Sequence, residues 1–205
     1  ANSWALGNSG AGINARLYWD GDPYDEFFDK SLIGHWNGTG FDRLYTNGGM
    51  YFPGTLNNGT KYNPCVIGDL LGDWREEMIT WNSSNNALIV TTTNIETDYR
   101  IEHLMDNRQY AEAVANQNCA YNQPPHLSYD PALRFSITVD IPASGWAPVY
   151  LPHAMQLSKN AQVFYGSGFD ANVDTLKIKA APNTIPAGTG VLVHGAPGTK
   201  VTFRP

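Results

Sequence analysis

Short runs of aliphatic, aromatic and β-branched residues recur along the whole chain, and clusters of Gly, Asn, Pro and Asp separate them. The runs have the length of strands and are too short for most helices. The 20 Gly and 13 Pro residues supply the turns that such a chain needs between its strands. The sequence therefore predicts a mostly β protein.

Four runs in the first half show this pattern most clearly. Residues 13–19 alternate apolar and polar side chains before the turn sequence Asp-Gly-Asp-Pro, and residues 65–68 form a second run that ends at Asp69. Residues 78–81 and 87–92 flank a polar stretch of Ser and Asn. Strand-forming residues on both sides of a turn sequence predict an antiparallel hairpin.

One segment departs from the β pattern. Tyr110, Ala113, Val114 and Gln117 recur at helical spacing behind Asp106. Asp is a common N-cap residue because its carboxylate accepts hydrogen bonds from the first helical N–H groups. The spacing predicts a helix between Asp106 and Gln117, with Asp106 as its cap.

The charge balance and the amino-acid composition both change near Arg134. Residues 1–135 carry 8 basic and 16 acidic groups, whereas residues 136–205 carry 5 and 3. The second segment consists of short Val, Ile and Thr runs between Pro and Gly, which is typical of a small β-sandwich. We therefore predict two domains, 1–135 and 136–205.

The overall charge excludes some classes of partner. The formal net charge is −6, and a protein that binds nucleic acid through phosphate contacts normally has the opposite sign. No apolar run approaches the roughly 20 residues that span a bilayer. We therefore expect neither a nucleic-acid partner nor a membrane span. Cys65 and Cys119, the two cysteines, could form a disulfide or remain thiols.

The first candidate site is the acidic stretch 69–77, between two predicted strands. Asp69, Asp73 and Glu77 recur around Gly72, and carboxylates at such a spacing can converge on Ca²⁺, which takes six to eight oxygen ligands. Leu71 stands where such loops often carry another acid. The alternative is a solvated hairpin in which Arg75 pairs with a neighbouring Glu.

Two further candidates are polar loops. In residues 56–61 an Asn-Gly turn carries two amides, a hydroxyl and the Lys61 ammonium, which together could hold an anionic sugar. In residues 117–126, amide side chains and the Tyr121 phenol precede two prolines. Such a polar segment is unsuited to a hydrophobic core, but it could line a binding site with hydrogen-bonding groups. The alternative for residues 56–61 is an exposed turn without a ligand. The alternative for residues 117–126 is the end of a helix leading into an extended linker.

Read together, these segments resemble the C-terminal end of the rhamnogalacturonan lyases of polysaccharide lyase family 11. The resemblance covers roughly residues 1–135. It lies in the following stretches: Trp19-Asp20-Gly21-Asp22, 26–29, Asn58-Gly59-Thr60-Lys61, Gly72-Asp73-Trp74-Arg75-Glu76-Glu77, Thr91-Thr92-Thr93, Leu104-Met105-Asp106, Tyr110, Gln117-Asn118 and 120–126.

The resemblance implies a fold and an activity. Family members are eight-bladed β-propellers that bind Ca²⁺ and cleave the bond between rhamnose and galacturonate in pectin by β-elimination. Residues 1–135 would supply only the last blades of such a propeller, so we expect a C-terminal portion of the enzyme. Either the missing blades belong to another chain or this chain is an isolated piece. Residues 136–205 resemble a β module appended to secreted Bacteroidetes proteins, which implies a secreted, periplasmic or cell-surface bacterial protein.

The resemblance also implies residue roles. The substrate cleft would be lined by Asn58, Gly59, Thr60, Lys61 and Tyr121. Lys61 and Tyr121 would be the catalytic residues: Lys61 would either take a proton or bind the uronate carboxylate, and Tyr121 would either protonate the departing oxygen or orient the sugar.

Calcium is the cofactor that the resemblance implies. Its ligands would come from the side chains of Asn118 and Asn122 and the carbonyl of Ala120, and from the set Asp69, Asp73 and Glu77.

A different class of function is also open. Trp19, Trp36, Trp74 and Tyr121 could stack on sugar rings, which would make the chain a non-catalytic sugar-binding or structural fragment of a polysaccharide-degrading protein.

Overall fold

The computed structural model describes residues 14–29, 32–37, 40–46, 63–117, 119, 123–157 and 161–205. The chain forms two compact units, Ala1–Tyr129 and Asp130–Pro205. This division lies close to the change in composition near Arg134. No helix within the described ranges is long and apolar enough to cross a bilayer. Cys65 and Cys119 both carry thiols.

A four-stranded antiparallel meander opens the first unit, and each strand pairs with the next one along the chain. Leu17, Phe28 and Ile33 have no exposed surface. They pack with Trp19 into a core that also receives Ile67 from the second sheet. The strands of the meander are β1 (Ala15–Leu17), β2 (Glu26–Asp29), β3 (Leu32–Trp36) and β4 (Phe41–Thr46).

The second sheet of this unit is also an antiparallel meander, in the order β5-β6-β7. The predicted hairpin is confirmed, because Trp81 pairs with Leu88 across the polar turn. The strands are β5 (Val66–Gly68), β6 (Glu77–Trp81) and β7 (Leu88–Thr91).

A short helix, α1 (Arg108–Ala115), follows a 3-10 turn at Leu104–Asp106. The predicted cap was wrong by one residue. Asp106 lies in the preceding turn, and the N-cap is Asn107, whose side-chain oxygen accepts the Tyr110 N–H at 3.1 Å. Asn serves this role as well as Asp does, because either side chain can accept from the first helical turn. Tyr110 is fully buried.

The second unit begins with a 3-10 turn, Pro131–Phe135, and contains two four-stranded antiparallel sheets, in the orders β13-β10-β15-β8 and β12-β11-β14-β9. Both sheets contribute to one core, Met155 and Phe203 from the first and Leu151 and Val193 from the second. The arrangement is that of a small β-sandwich. The strands are β8 (Ile137–Asp140), β9 (Trp146–Leu151), β10 (Met155–Leu157), β11 (Gln162–Asp170), β12 (Thr175–Ala180), β13 (Thr184–Ile185), β14 (Thr189–His194) and β15 (Lys200–Arg204).

The prediction of a mostly β protein is confirmed, since the described residues form four antiparallel sheets and one α-helix. Strand β9 carries Pro148 in its interior. Pro is tolerated there because β9 is an edge strand of its sheet.

Candidate functional site

The predicted site residues divide into two groups. Asn58, Gly59, Thr60 and Lys61, together with Asn118, Ala120, Tyr121 and Asn122, lie outside the described residues. Their predicted roles in catalysis, substrate binding and calcium binding stay predictions. Asp69, Asp73 and Glu77 are described, and their surroundings show what these carboxylates do within the fold.

Asp69 begins a loop of residues 69–77. We call it the second acidic loop, because another acidic loop, described below, precedes it in the chain. Its carboxylate is fully buried. One oxygen accepts the N–H of Gly72 and the other accepts the N–H of Leu104, both at 2.8 Å. Burial raises the pKa of Asp69, and the two N–H groups oppose that effect. Asp69 therefore ties its own loop to the turn that precedes α1.

Glu77 closes the same loop. Its Oε2 accepts the N–H groups of Leu70 and Leu71 at 2.9 and 3.0 Å, and its Oε1 accepts the Thr92 hydroxyl at 3.1 Å. Asp73 is partly exposed and binds Arg75 at 2.7 Å. Asp69 and Glu77 thus hold backbone and hydroxyl donors, and calcium binding by this set stays a prediction.

A first acidic loop, residues 18–26, is built on the same frame. Each loop joins two antiparallel strands and ends in a Glu that opens the second strand: Leu17 pairs with Glu26, and Gly68 pairs with Glu77. Glu26 Oε2 accepts the N–H groups of Trp19 and Asp20 at 2.7 and 3.4 Å. These donors precede Glu26 by seven and six residues, as Leu70 and Leu71 precede Glu77.

The first loop brings together a group that the second loop does not have. Asp20, Glu26 and His35 place one potential ligand atom each within 4.8 Å of the others, the one such trio of His, Cys, Asp or Glu in the part of the chain that the structure describes. His35 Nδ1 lies 3.2 Å from Asp20 Oδ2 and 3.6 Å from Glu26 Oε1.

Sequence reasoning did not single out this trio, although a signal for two of its members was present. Asp20 and Glu26 stand at the same offsets from Gly21 as Leu71 and Glu77 do from Gly72. His35 carried no such signal, because it comes from strand β3 and its position depends on the strand pairing.

Burial and mutual repulsion shape the acid–base behaviour of this group. Burial, reinforced by the charge of Asp20, raises the pKa of Asp22 to about 6. Burial also raises the pKa of Glu26 to about 8. The Glu26 carboxylate facing His35 raises the pKa of that imidazole to about 9. The group therefore concentrates negative charge and stabilises a positive partner.

Arg16 links the two loops. Its Nη1 lies 3.1 Å from Glu76 Oε2 and its Nε lies 3.6 Å from Asp25 Oδ2, and these two acids occupy equivalent loop positions. Arg16 also donates to the carbonyl of Pro125. Glu76 is fully buried and accepts the Tyr18 N–H and the Tyr110 hydroxyl at 2.7 and 2.6 Å.

The network also fixes the chain beside the predicted catalytic segments. Gln117 binds Ile67 twice: its Oε1 accepts the Ile67 N–H at 2.8 Å, and its Nε2 donates to the Ile67 carbonyl. Residue 117 directly precedes the segment that holds Tyr121, and Ile67 lies six residues after Lys61. Strand β5 therefore binds Gln117, the described residue that precedes the second of these segments.

Comparison with known proteins identifies the first unit. The family model described as "Rhamnogalacturonan lyase family 11, C-terminal domain" matches residues 4–132. Rhamnogalacturonan endolyase YesW of Bacillus subtilis is 41% identical over 119 residues, which cover 57% of this chain and 18% of the relative. Rhamnogalacturonan exolyase YesX of the same organism is 38% identical over 122 residues, 57% of this chain and 20% of the relative.

Solved structures agree with the sequence comparison. Rhamnogalacturonan lyase YesW matches with a TM-score of 0.52 at 38% identity, over 58% of this chain and 20% of that one. A Bacillus licheniformis rhamnogalacturonan lyase matches with a TM-score of 0.52 at 35% identity over the same shares. The chain thus spans about a fifth of the length of these relatives.

Proposed function

Because the chain belongs to rhamnogalacturonan lyase family 11, whose C-terminal domain matches residues 4–132, we propose that it forms part of a lyase that cleaves rhamnogalacturonan. The reaction is a β-elimination at the bond between rhamnose and galacturonate. The observation that carries the proposal is the family match over most of the first unit, together with relatives that are an endolyase and an exolyase. Its substrate would be the pectic polysaccharide itself.

The sheet order supports the propeller that we propose for the whole enzyme. Propeller blades are antiparallel sheets of typically four strands, repeated along the chain. The meander β1-β2-β3-β4 has this form. The second sheet repeats its loop frame, since Leu17–Glu26 and Gly68–Glu77 close loops of equal length. We propose that the first unit supplies the last blades and that the remaining blades lie on sequence beyond these residues or on a partner chain.

The reaction needs a base, an acid and an anion-binding group. The C5–H bond of galacturonate breaks, its electron pair forms a C4–C5 double bond, and the C4–O bond to the leaving sugar breaks. Negative charge builds on the adjacent carboxylate as the proton leaves. We propose that Lys61 either removes this proton or binds the carboxylate, and that Tyr121 either protonates the departing oxygen or orients the ring.

Lys61 and Tyr121 are separated by 60 positions in the sequence, but the described residues beside them meet at strand β5. Tyr121 lies four residues after Gln117, and Lys61 lies six residues before Ile67. Extended chains of these lengths span at most about 14 and 21 Å. Because Gln117 is bonded to Ile67, both side chains are within reach of one region, which supports a shared cleft lined also by Asn58, Gly59 and Thr60.

Calcium is the cofactor that we propose for this site. When bound to the substrate carboxylate, Ca²⁺ would supply Lewis-acid stabilisation of the charge that develops there. Asn118, Ala120 and Asn122 carry the oxygen donors that Ca²⁺ prefers. Because Asp69 and Glu77 already accept backbone N–H groups, we propose for them the supporting role of holding the second acidic loop beside α1.

A polysaccharide substrate of this size also favours a secreted, periplasmic or cell-surface location.

The proposed activity has a direct optical readout. β-Elimination leaves an unsaturated uronide, which absorbs in the ultraviolet. We expect the chain, mixed with rhamnogalacturonan and Ca²⁺, to bind the polysaccharide and to generate this absorbance if its residues complete a site.

A second candidate function is favoured by the small share of the relatives that the chain spans. It is a non-catalytic sugar-binding or structural fragment of a polysaccharide-degrading protein. Binding without absorbance would favour the sugar-binding fragment, and the absence of both would favour the structural one.

A further inference from the structure

The trio in the first acidic loop is the strongest unassigned cluster in the described part of the molecule. We propose that Asp20 Oδ2, Glu26 Oε1 and His35 Nδ1 form a binding site for a first-row divalent metal ion of the Zn²⁺ type. The three residues come from the loop, from the start of β2 and from β3, and each offers a ligand atom within 4.8 Å of those of the other two. The proposal is independent of the lyase activity.

The orientation of Glu26 carries the proposal. Its side chain is fully buried, and Oε1 has no hydrogen-bond partner. The other oxygen, Oε2, is held by two backbone N–H groups, so the carboxylate is fixed with Oε1 directed toward His35 at 3.6 Å. The positive partner that faces this buried oxygen is the His35 imidazole, which lies beyond hydrogen-bond distance. A metal ion held between the two groups would satisfy both the oxygen and the ring nitrogen.

In the second acidic loop the equivalent oxygen has a protein donor. Glu77 Oε1 accepts the Thr92 hydroxyl. The register of each sheet, extended by one pair, places His35 opposite Glu26 and Thr92 opposite Glu77. The first loop therefore has a ligating imidazole at the position where the second has a hydroxyl donor. It also has Asp20 where the second has the exposed Leu71.

The donor set indicates the class of metal. Imidazole nitrogen suits zinc and its first-row neighbours, whereas Ca²⁺ takes oxygen ligands. Zinc–ligand bonds of about 2.0–2.2 Å in a tetrahedron separate neighbouring ligand atoms by roughly 3.3–3.6 Å. Asp20 Oδ2 and Glu26 Oε1 lie 3.2 and 3.6 Å from His35 Nδ1, so both carboxylate oxygens are at a zinc-like separation from the imidazole nitrogen.

The site is accessible from solvent and would act as a clamp. The side chains of His35 and Asp20 keep 24% and 14% of their surface exposed, which leaves an entry path and a fourth position for water. A metal ion bound here would join the first loop to β2 and β3. Ions that bind only the folded state raise its stability by mass action, so Zn²⁺ would raise the melting temperature of the chain.

The test is titration of chelator-treated, untagged full chain with Zn²⁺ and, separately, with Ca²⁺, followed by calorimetry. We expect one Zn²⁺ per chain at this site and at least tenfold weaker Ca²⁺ binding there. Co²⁺ provides an independent probe, because its absorption spectrum shows a thiolate charge-transfer band if Cys65 or Cys119 is the ligand. We expect a spectrum without that band.

The residues at the equivalent positions of the second acidic loop suggest substitutions that test the site. His35→Thr and Asp20→Leu convert the first loop to the residues found at the equivalent positions, and each should weaken Zn²⁺ binding by at least about tenfold. His194→Gln, in an exposed position of the second unit, should leave binding unchanged. The converse variant, Leu71→Asp with Thr92→His, should create a second Zn²⁺ site.

The outcomes are decisive in both directions. Loss of Zn²⁺ binding in His35→Thr and Asp20→Leu, with His194→Gln unaffected, supports the proposal, and so does a gain in the converse variant. Unchanged Zn²⁺ affinity in His35→Thr, a thiolate band with Co²⁺, or tighter binding of Ca²⁺ than of Zn²⁺ at this site overturns it. If a first-loop variant does not fold, failure of the converse variant to bind Zn²⁺ overturns the proposal as well.

Discussion

The two acidic loops of the first unit share a frame and differ in their chemistry. In each, the closing Glu accepts two N–H groups from the start of the loop, and it pairs with the last residue of the preceding strand. The frame therefore does not decide what the loop binds. The side chains around the other Glu oxygen set the difference. Asp20 and His35 lie beside Glu26 Oε1, whereas Leu71 and Thr92 occupy the equivalent positions at Glu77, where Thr92 donates its hydroxyl to Oε1.

A second difference lies at the residue before the closing Glu. Glu76 is fully buried between Arg16, Tyr18 and Tyr110, whereas the side chain of Asp25 keeps 50% of its surface exposed. Burial raises the pKa of Glu76, and the Arg16 charge is the main influence in the opposite direction. The second loop thus anchors the unit, and the first loop remains open to solvent and to ligands.

The largest expected effect comes from removing the buried acid. Glu76→Ala leaves the buried Arg16 with only the half-exposed Asp25 carboxylate nearby and removes the acceptor of the Tyr110 hydroxyl. Breaking a buried ion pair from one side typically costs about 3–5 kcal/mol. Chemical denaturation of the full chain, followed by tryptophan fluorescence, measures this loss in the free energy of unfolding.

Asp25→Ala is the matched control for that experiment. It removes a half-exposed acid that lies 3.6 Å from the same Arg16, and exposed ion pairs contribute at most about 1 kcal/mol. Equal losses for the two variants would contradict the distinction between an anchoring loop and an open loop.

A smaller effect is expected at the loop glycines, which are required for different reasons. Gly72 has φ +80°, a left-handed conformation that costs other residues about 1 kcal/mol. At Gly21 a Cβ would lie 2.7 Å from the backbone oxygen of Glu96, so overpacking of about 1–3 kcal/mol is expected. Asn tolerates the left-handed region.

We therefore expect Gly72→Asn to be less destabilising than Gly72→Ala, and Gly21→Asn to be at least as destabilising as Gly21→Ala. Melting temperatures of the four variants measure both orders. The same order at the two positions would show that the glycines serve one purpose, against the structure.

A further difference between the loops concerns pH. In metal-free protein Glu26 has a pKa of about 8 against an ordinary 4.5, so between these values the folded state keeps a proton that the unfolded chain has lost. The free energy of unfolding therefore falls as pH rises through this window. His35, with a pKa of about 9 against 6.5, acts in the same direction: its contribution is complete below pH 6.5 and is lost as pH rises through 9.

Glu26→Gln should make the fall in stability between about pH 5 and 8 shallower. Glu77→Gln should change it less, because the two N–H groups and Thr92 oppose the effect of burial on the pKa of Glu77. Urea midpoints measured across this range decide the point. A slope unchanged by Glu26→Gln would show that this carboxylate does not titrate in the window.

The sequence was sufficient for the features that depend on local pattern. The β class, the hairpin between β6 and β7 and the position of α1 follow from residue type and spacing. The predicted N-cap was Asp106, whereas the observed N-cap is Asn107. Both residue types can accept the first helical N–H groups, so the turn before the helix decides which of them is the cap.

The features that depend on strand pairing escaped prediction. His35 faces Glu26 only because β3 folds back on β2, and Arg16 meets Glu76 across 60 positions. The acids of the second loop were predicted as calcium ligands from their spacing and from the family resemblance, and this stays a prediction. Spacing does not show that Leu104 and Thr92, from other segments, already donate to these carboxylates.

The most direct test of the proposed function uses a chimera in which residues 4–132 replace the matched segment of endolyase YesW. The rate of unsaturated uronide formation is measured with rhamnogalacturonan and Ca²⁺. We predict that the chimera is active, that Lys61→Ala and Tyr121→Phe each lower the rate by about 100-fold or more, and that Arg108→Ala, whose side chain is 91% exposed, leaves it unchanged. An inactive but folded chimera, or full turnover in both the Lys61 and Tyr121 variants, would contradict the account.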